Sequence, residues 1–284
     1  MRLGVHVPVS KGLRRAAAEA VRLRCECMQM FLSNPRGWAA GAEHPGADVA
    51  ALREARGKHD IRPLIGHASY VVNLASADRE LWRKSLTSAA ADMRRALGVG
   101  AEAFVVHAGY HGGGGERRGR TLLARALREL SRASGGRLAV LVENGSGAGT
   151  GVGWRFEDLA AVLAQAGNPP GVGVCLDTCH AHVAGYDLSG AEAVGAVLEA
   201  LDRTVGLGRL GAVHLNDAKH PAGSRRDAHA HIGRGTIGRA GFRALLQHPR
   251  LADVAGIIET PKEGDADARN LRVLRRLRAH RAAR

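Results

Sequence analysis

AFVVHA at 103–108, LAVLVE at 138–143 and GVGVCLD at 171–177 are nearly continuous apolar runs, each reaching a titratable residue at or near its end. Strands with such runs are buried on both faces, as in a parallel sheet covered by helices. On either side of them, RLGVHV (2–7), CECMQMFL (25–32), IRPLIGH (61–67), LGAVHLN (210–216) and VAGIIE (254–259) bring the candidate strands to eight. Between them lie segments with apolar residues three and four apart, such as Leu122, Leu123, Ala126, Leu127 and Leu130, which predict amphipathic helices. Eight strand-then-helix units predict one α/β domain over residues 1–284, a closed (β/α)8 TIM barrel in preference to an open doubly wound sheet.

The last segment, 262–284, reads as a basic helix. Leu271, Leu274 and Leu277 form an apolar stripe flanked by Arg272, Arg275, Arg276 and Arg278. The expectation is a solvated cationic face on a packed helix, not a DNA-gripping tail.

Composition bounds the function. Hydrophobic residues at 45% and charged ones at 24% exclude wholesale disorder, a collagen-like repeat and a disulfide-framed miniprotein. The 41 Lys plus Arg outnumber 27 Asp plus Glu for a formal charge of +14, which suits a polyanionic partner, although Arg-, Ala- and Gly-rich coding contributes to that balance. Cys25, Cys27, Cys175 and Cys179 sit in apolar stretches and read as buried thiols of a reducing compartment. MRLGVHVPVS has no signal core and no window is apolar enough for a membrane span. A cytoplasmic, nucleoid-associated monomer is expected, with no membrane partner.

The polar residues ending the last six runs carry the chemistry: His67, His107, Glu143, Asp177, His214 and Glu259. A parallel barrel gathers the C-terminal ends of its strands at one mouth, so residues far apart in sequence would share one pocket. For any one of them, capping a strand is the simpler explanation. Together they would carry a large desolvation and repulsion cost without compensating cations, so metal binding is expected. Asp177-Thr178-Cys179-His180 adds a His, and Arg226-Asp227-Ala228-His229 adds a carboxylate and a His. The resulting set of five His, two Asp and two Glu suits zinc, with manganese or iron as competitors.

Other features carry less. The run NGSGAGTGVG (144–153) has no GxGxxG register, and no GxxxxGK[ST] occurs, so no nucleotide cofactor is expected. Gly112 to Gly115 read as a mobile loop. Cys175 and Cys179 read as packing residues, and His44, His59, His220, His248 and His280 as residues without a catalytic role.

LGVHVPVSKGL, FLSNPRGW, HASYVVNLAS, VVHAG, VENGSGAGTG, GVCLDTCHAHVAGYD, VHLNDAK, GSRRDAHAHIGRGTIG and IIETP together resemble, in order and spacing over about residues 1–261, the endonuclease IV family of apurinic/apyrimidinic endonucleases. The resemblance implies a barrel holding three zinc ions that cleaves double-stranded DNA 5′ to an abasic site, leaving a 3′ hydroxyl, in base excision repair. By motif, His67 and His107 with Glu143 would hold one metal. Glu143 would bridge to a second, completed by Asp177, His214 and Glu259, and His180, Asp227 and His229 would hold the third. Arg36 in NPRGW and Tyr70 with Val71 in HASYVV would enter the duplex where the base is missing. The chain departs from the family pattern at Pro8, Gly37 and Ala228, where DNA contacts are affected more than metal binding.

The expected reaction is metal-assisted, in-line phosphodiester hydrolysis with Glu143 as the catalytic protein ligand shared between metals. A sugar isomerase or epimerase is the first rival, since related metal-dependent barrels place Glu, Asp and His at strand ends. It would need fewer ligands and no cationic footprint. A noncatalytic DNA-damage-binding module with structural metal is the second.

Overall fold

The computed structural model describes residues 1–38 and 43–279. In chain order the elements are β1 (Arg2–His6), α1 (Leu13–Arg22), β2 (Cys27–Phe31), α2 (Gly46–His59), β3 (Leu64–His67), α3 (Arg79–Val99), β4 (Ala103–His107), α4 (Glu116–Ser134), β5 (Ala139–Glu143) and α5 (Phe156–Gln165). There follow β6 (Val172–Asp177), α6 (Thr178–Ala184), α7 (Ala191–Thr204), β7 (Leu210–His214), β8 (Asp217–Ala218), β9 (His229–Ala230), α8 (Gly238–Gln247), β10 (Ala255–Ile258) and α9 (Ala266–Ala279). Strands β1 to β7 and β10 close a parallel barrel in the order β1-β10-β7-β6-β5-β4-β3-β2. The expected TIM barrel is therefore observed. β8 and β9 are a short antiparallel pair outside it.

All eight expected strands are present, with trimmed ends. The second begins at Cys27 because the Cys25 amide donates to Ala20 O at 2.9 Å, closing α1. The third begins at Leu64 because Pro63, without an N–H, cannot donate to a ladder. The glycines at 173 and 211 permit close approach: a Cβ on Gly211 would lie 2.7 Å from the Leu141 side chain, and one on Gly173 2.3 Å from Arg209 O. There β6 and β7 slip register, Val174 pairing with Leu210 and Cys175 with Ala212.

Between barrel and helices lies the main core. Leu123, Ala126, Leu127 and Leu130 of α4 are buried there, as their spacing predicts, while Leu122 is only partly covered. Leu271, Leu274 and Leu277 bury the stripe of α9. Its cations are not all solvated: Arg275 donates to the Leu23 and Arg24 carbonyls, and Arg278 grips Glu26 and Met1 O. These contacts attach α9 to the chain around β1 and the α1–β2 turn, at the N-terminal ends of the strands. No described helix is long and apolar enough to cross a membrane.

Candidate metal centre

Alternate side chains of each strand point into the barrel. Cys27, Ile65, Val105, Leu141, Cys175, Ala212 and Ile257 form a separate apolar cluster there. Two residues further along their strands, the same alternation brings in His67, His107, Glu143, Asp177, His214 and Glu259, the last lying one residue beyond β10. Register agrees, pairing His107 with Glu143 and Asp177 with His214. The polar groups thus crown an apolar plug at the C-terminal mouth.

Each of the nine expected ligands reaches this mouth. Ligand atoms of His67, His107 and Glu143 lie within 4.8 Å of one another, as do those of Glu143, Asp177, His214 and Glu259, and those of His180, Asp227 and His229. Glu143 belongs to two of these groups and is buried. Its Oε2 is 3.3 Å from His67 Nε2 and 3.4 Å from His107 Nε2, while Oε1 is 3.1 Å from His214 Nδ1. His180 arrives on the short helix α6, whose first turn is capped by Asp177 Oδ1 accepting from the His180 amide at 2.8 Å. Asp227 comes from the loop between β8 and β9, and His229 begins β9.

The imidazole tautomers follow from the outward hydrogen bonds. Nδ1 of His67 donates to Ala68 O at 2.7 Å, Nδ1 of His180 to Asn144 O at 3.0 Å, and Nδ1 of His229 to Glu259 O at 3.2 Å. In each neutral ring Nε2 then carries the lone pair, and it faces a carboxylate. His214 is turned the other way round. Gln29 Nε2 donates to Glu259 Oε1 at 2.7 Å, so Gln29 Oε1 must accept from His214 Nε2 at 2.9 Å. That leaves His214 Nδ1 buried without a hydrogen-bond partner, between Glu143 Oε1 and Glu259 Oε2 at 3.1 and 3.2 Å. A lone pair aimed at two carboxylates is repulsive unless a proton or a cation lies between them. Outward N–H groups anchored on backbone or amide oxygens, with inward lone pairs, are how metal-bound histidines are held. The donor set therefore fits divalent cations.

Electrostatics without a cation lead to the same point. Burial would raise the Glu143 carboxyl, but His214 and His107 hold it well below the ordinary range. Burial would likewise raise Glu259, yet His214 and His6 depress it. Burial pushes Asp177 up despite His180 and His229, and pushes His107 down to about 4 despite Glu143. His180 and His214 are raised well above an ordinary imidazole because, against burial, each faces acidic partners. Protons are recruited to balance crowded acids, a task a divalent cation performs more strongly.

The residues expected to meet DNA lie at the rim. Arg36 and Tyr70 are exposed and Val71 is half-buried. Their loops are joined by the Tyr70 amide and the Ser69 hydroxyl, both donating to Pro35 O, at 2.9 and 3.1 Å. The Tyr70 ring rests edge-on against Phe31 and stacks on His107, with centroids 5.0 and 5.8 Å apart. Burial lifts its phenol to about 12. Tyr70 lines a cleft of about 470 Å³ together with His107, Glu143, His180, Asp227, His229 and Glu259.

Sequence reasoning missed four buried polar residues around the ligands. His6 Nδ1 lies 2.9 Å from Glu259 Oε1, and Gln29 joins His6, Glu259 and His214. Asn144 Oδ1 accepts from the Asp177 amide at 2.7 Å. Asn216 donates to Asp177 Oδ2 at 2.7 Å and accepts from the Glu259 amide at 2.9 Å. Period-two alternation along β1 and β2 was the available signal, since His6 and Gln29 interrupt apolar runs at inward positions. Cys175 is buried in the apolar plug, and Cys179 packs with Sγ 3.8 Å from Asp227 Oδ1. His280 lies outside the described residues.

A closed parallel barrel with acids and imidazoles crowded at its C-terminal mouth defines a xylose isomerase-like TIM barrel, and the model of that family matches residues 17–279. Within that class the chain belongs to the endonuclease IV family of nucleases. It is 43% identical over 263 residues to the "Probable endonuclease 4" of Heliobacterium modesticaldum, covering 93% of this chain and 94% of that one. The crystal structure of endonuclease IV from Thermus thermophilus matches with a TM-score of 0.85 at 42% identity, over 98% of each chain. A D-tagatose 3-epimerase-like protein matches at TM-score 0.71 but 19% identity, over 98% of this chain and 97% of that one, a likeness of fold alone.

Proposed function

We propose that this protein is a zinc-dependent endonuclease that hydrolyses DNA on the 5′ side of an abasic site and leaves a 3′ hydroxyl. The observation that carries the reading is the convergence of nine candidate ligand residues into three groups, two of which share Glu143, with His214 Nδ1 left buried and unpartnered in the second. His67, His107 and Glu143 would hold one ion; Glu143, Asp177, His214 and Glu259 a second; His180, Asp227 and His229 a third. Bound zinc would lower the pKa of water from 15.7 to about 7 and offset phosphate charge. Manganese or iron could substitute.

The chain's own residues supply the rest. Glu143 ties two ligand groups together and fixes their separation. The anchors at Ala68 O, Asn144 O, Glu259 O and Gln29 keep the imidazoles aimed before substrate arrives, so little reorganisation accompanies reaction. Tyr70 and Val71, with Arg36 beside them, would fill the space of the missing base while the abasic sugar enters the cleft. An abasic nucleotide has no stacking to lose, whereas an intact one resists by a few kcal/mol. The net charge of +14 would draw the duplex to the rim.

The deciding experiment pairs elemental analysis of protein purified without chelator with incision of a synthetic abasic duplex. Zinc near three per chain with a single nick 5′ to the lesion supports the reading. Full metal occupancy with binding but no cleavage would favour a damage-binding module, and aldose–ketose interconversion without nicking would favour a sugar isomerase.

A further inference from the structure

Among the described residues two large hydrophobic side chains stand exposed, Tyr70 at 55% and Tyr110 at 52%, and both line the metal-centre cleft. Tyr70 is supported by other rings. Tyr110 has no described ring against it, and no described group hydrogen-bonds its hydroxyl.

Its backbone, by contrast, is fixed from both sides. The Asn73 side chain clamps it, Oδ1 accepting from the Tyr110 amide and Nδ2 donating to the Tyr110 carbonyl, each at 2.9 Å. Asn73 is itself anchored on α3, its amide donating to Ser85 Oγ at 2.9 Å. Gly109 makes the clamp possible: its φ is +85°, and a Cβ there would lie 2.4 Å from Asn73 Oδ1. On the other side, the Val152 amide donates to Gly109 O at 2.9 Å and the His111 amide to Thr150 O at 3.0 Å, with Tyr110 bridged to Gly151. The loop after β3 that carries Tyr70 and the glycine-rich loop after β5 therefore hold Tyr110 between them.

A rigid backbone presenting an unpacked aromatic ring at the rim of a cationic protein's cleft is a preorganised stacking platform, because the ordering cost is met before the ligand arrives. We propose that Tyr110 is a second aromatic contact of this cleft, stacking on a nucleobase next to the lesion, and that Asn73 holds it in position. Every nucleobase has a π-face, so the contact strengthens the grip on DNA without reading sequence. The proposal rests on the reading of the protein as an abasic-site nuclease.

The test uses a duplex with one tetrahydrofuran abasic residue flanked by 2-aminopurine, incised and bound by the parent protein, Tyr110→Phe and Tyr110→Ala. Tyr110→Phe keeps the ring and is expected within about two-fold of the parent in KM, whereas Tyr110→Ala should raise KM by roughly ten-fold. In Tyr110→Ala, kcat and metal content should stay at parent level, and 2-aminopurine emission in the complex should be higher because the stacking partner is gone. Parent-like KM and emission in Tyr110→Ala would overturn the proposal. So would a Tyr110→Phe variant as impaired as Tyr110→Ala, since the hydroxyl would then be the active part. A parent protein that does not nick this duplex at all would instead bring down the functional reading beneath it.

Discussion

Gln29 shows how much of the centre rests on residues outside the candidate ligand groups. Its amide accepts from His214 and donates to Glu259, with Nε2 also 3.0 Å from His6 Nδ1, and it is fully buried at the inward face of β2. Gln29→Leu keeps the volume and removes the orientation, so His214 could turn its protonated nitrogen inward. Loss of such an outer partner costs about 10–100-fold in metal affinity, measurable by competition with a chromogenic chelator; unchanged affinity would mean that packing alone fixes His214. Loss of a proposed ligand itself should cost more. Glu143→Gln and His107→Ala are expected to lower incision by at least about a hundred-fold, with salt-dependent duplex binding largely intact. Normal turnover by either variant in a nicking assay would remove it from the catalytic set.

Among the elements, α9 carries, besides its buried apolar stripe, a contact far from the chemistry. Arg278 meets Glu26 through two bonds of 2.6 Å, and Glu26 Oε2 also accepts from the Leu3 amide at 3.0 Å. Burial works to raise the Glu26 carboxyl, but the guanidinium and the amide win and hold it below its ordinary value. A carboxyl depressed on folding stabilises the protein above its unfolded pKa of about 4.3, and that stabilisation disappears as pH falls through the lower folded value. The pair is a third exposed, so it contributes about 1 kcal/mol or less. At neutral pH Glu26→Gln should therefore melt roughly 2 °C below the parent, with the gap closing toward pH 3. Parallel melting curves at every pH would show that the apolar stripe of α9 holds it unaided.

Over the molecule as a whole, a formal charge of +14 surrounds a mouth that concentrates acids. Cation binding at the mouth and attraction of a polyanion to the rim are then separable by salt, since a closely held ion is screened far less than a long-range field. Raising salt from 50 to 200 mM should weaken duplex binding by about a hundred-fold or more, while the zinc content of the dialysed protein stays constant. Salt-insensitive binding would shift the explanation from phosphate contacts to shape alone.

The order of residues along the chain was enough for the eight-fold alternation and the six strand-end members of the polar set, because buried parallel strands must be apolar and any acid or imidazole ending them stands out, whereas His180, Asp227 and His229, which lie off the barrel strands, were reached through two short motifs and the family resemblance. It was enough, too, for the charge that favours DNA. Which ring nitrogen faces inward emerged only on folding, since that depends on Ala68 O, Asn144 O, Glu259 O and Gln29, groups that carry no pattern along the chain. His6 and Gln29 became part of the centre through barrel closure, which sets β1 and β10 side by side and brings His6 to Glu259. Tyr110 likewise had its backbone fixed by Asn73 and Gly151, since two loops distant in sequence meet only after the strands beneath them have paired.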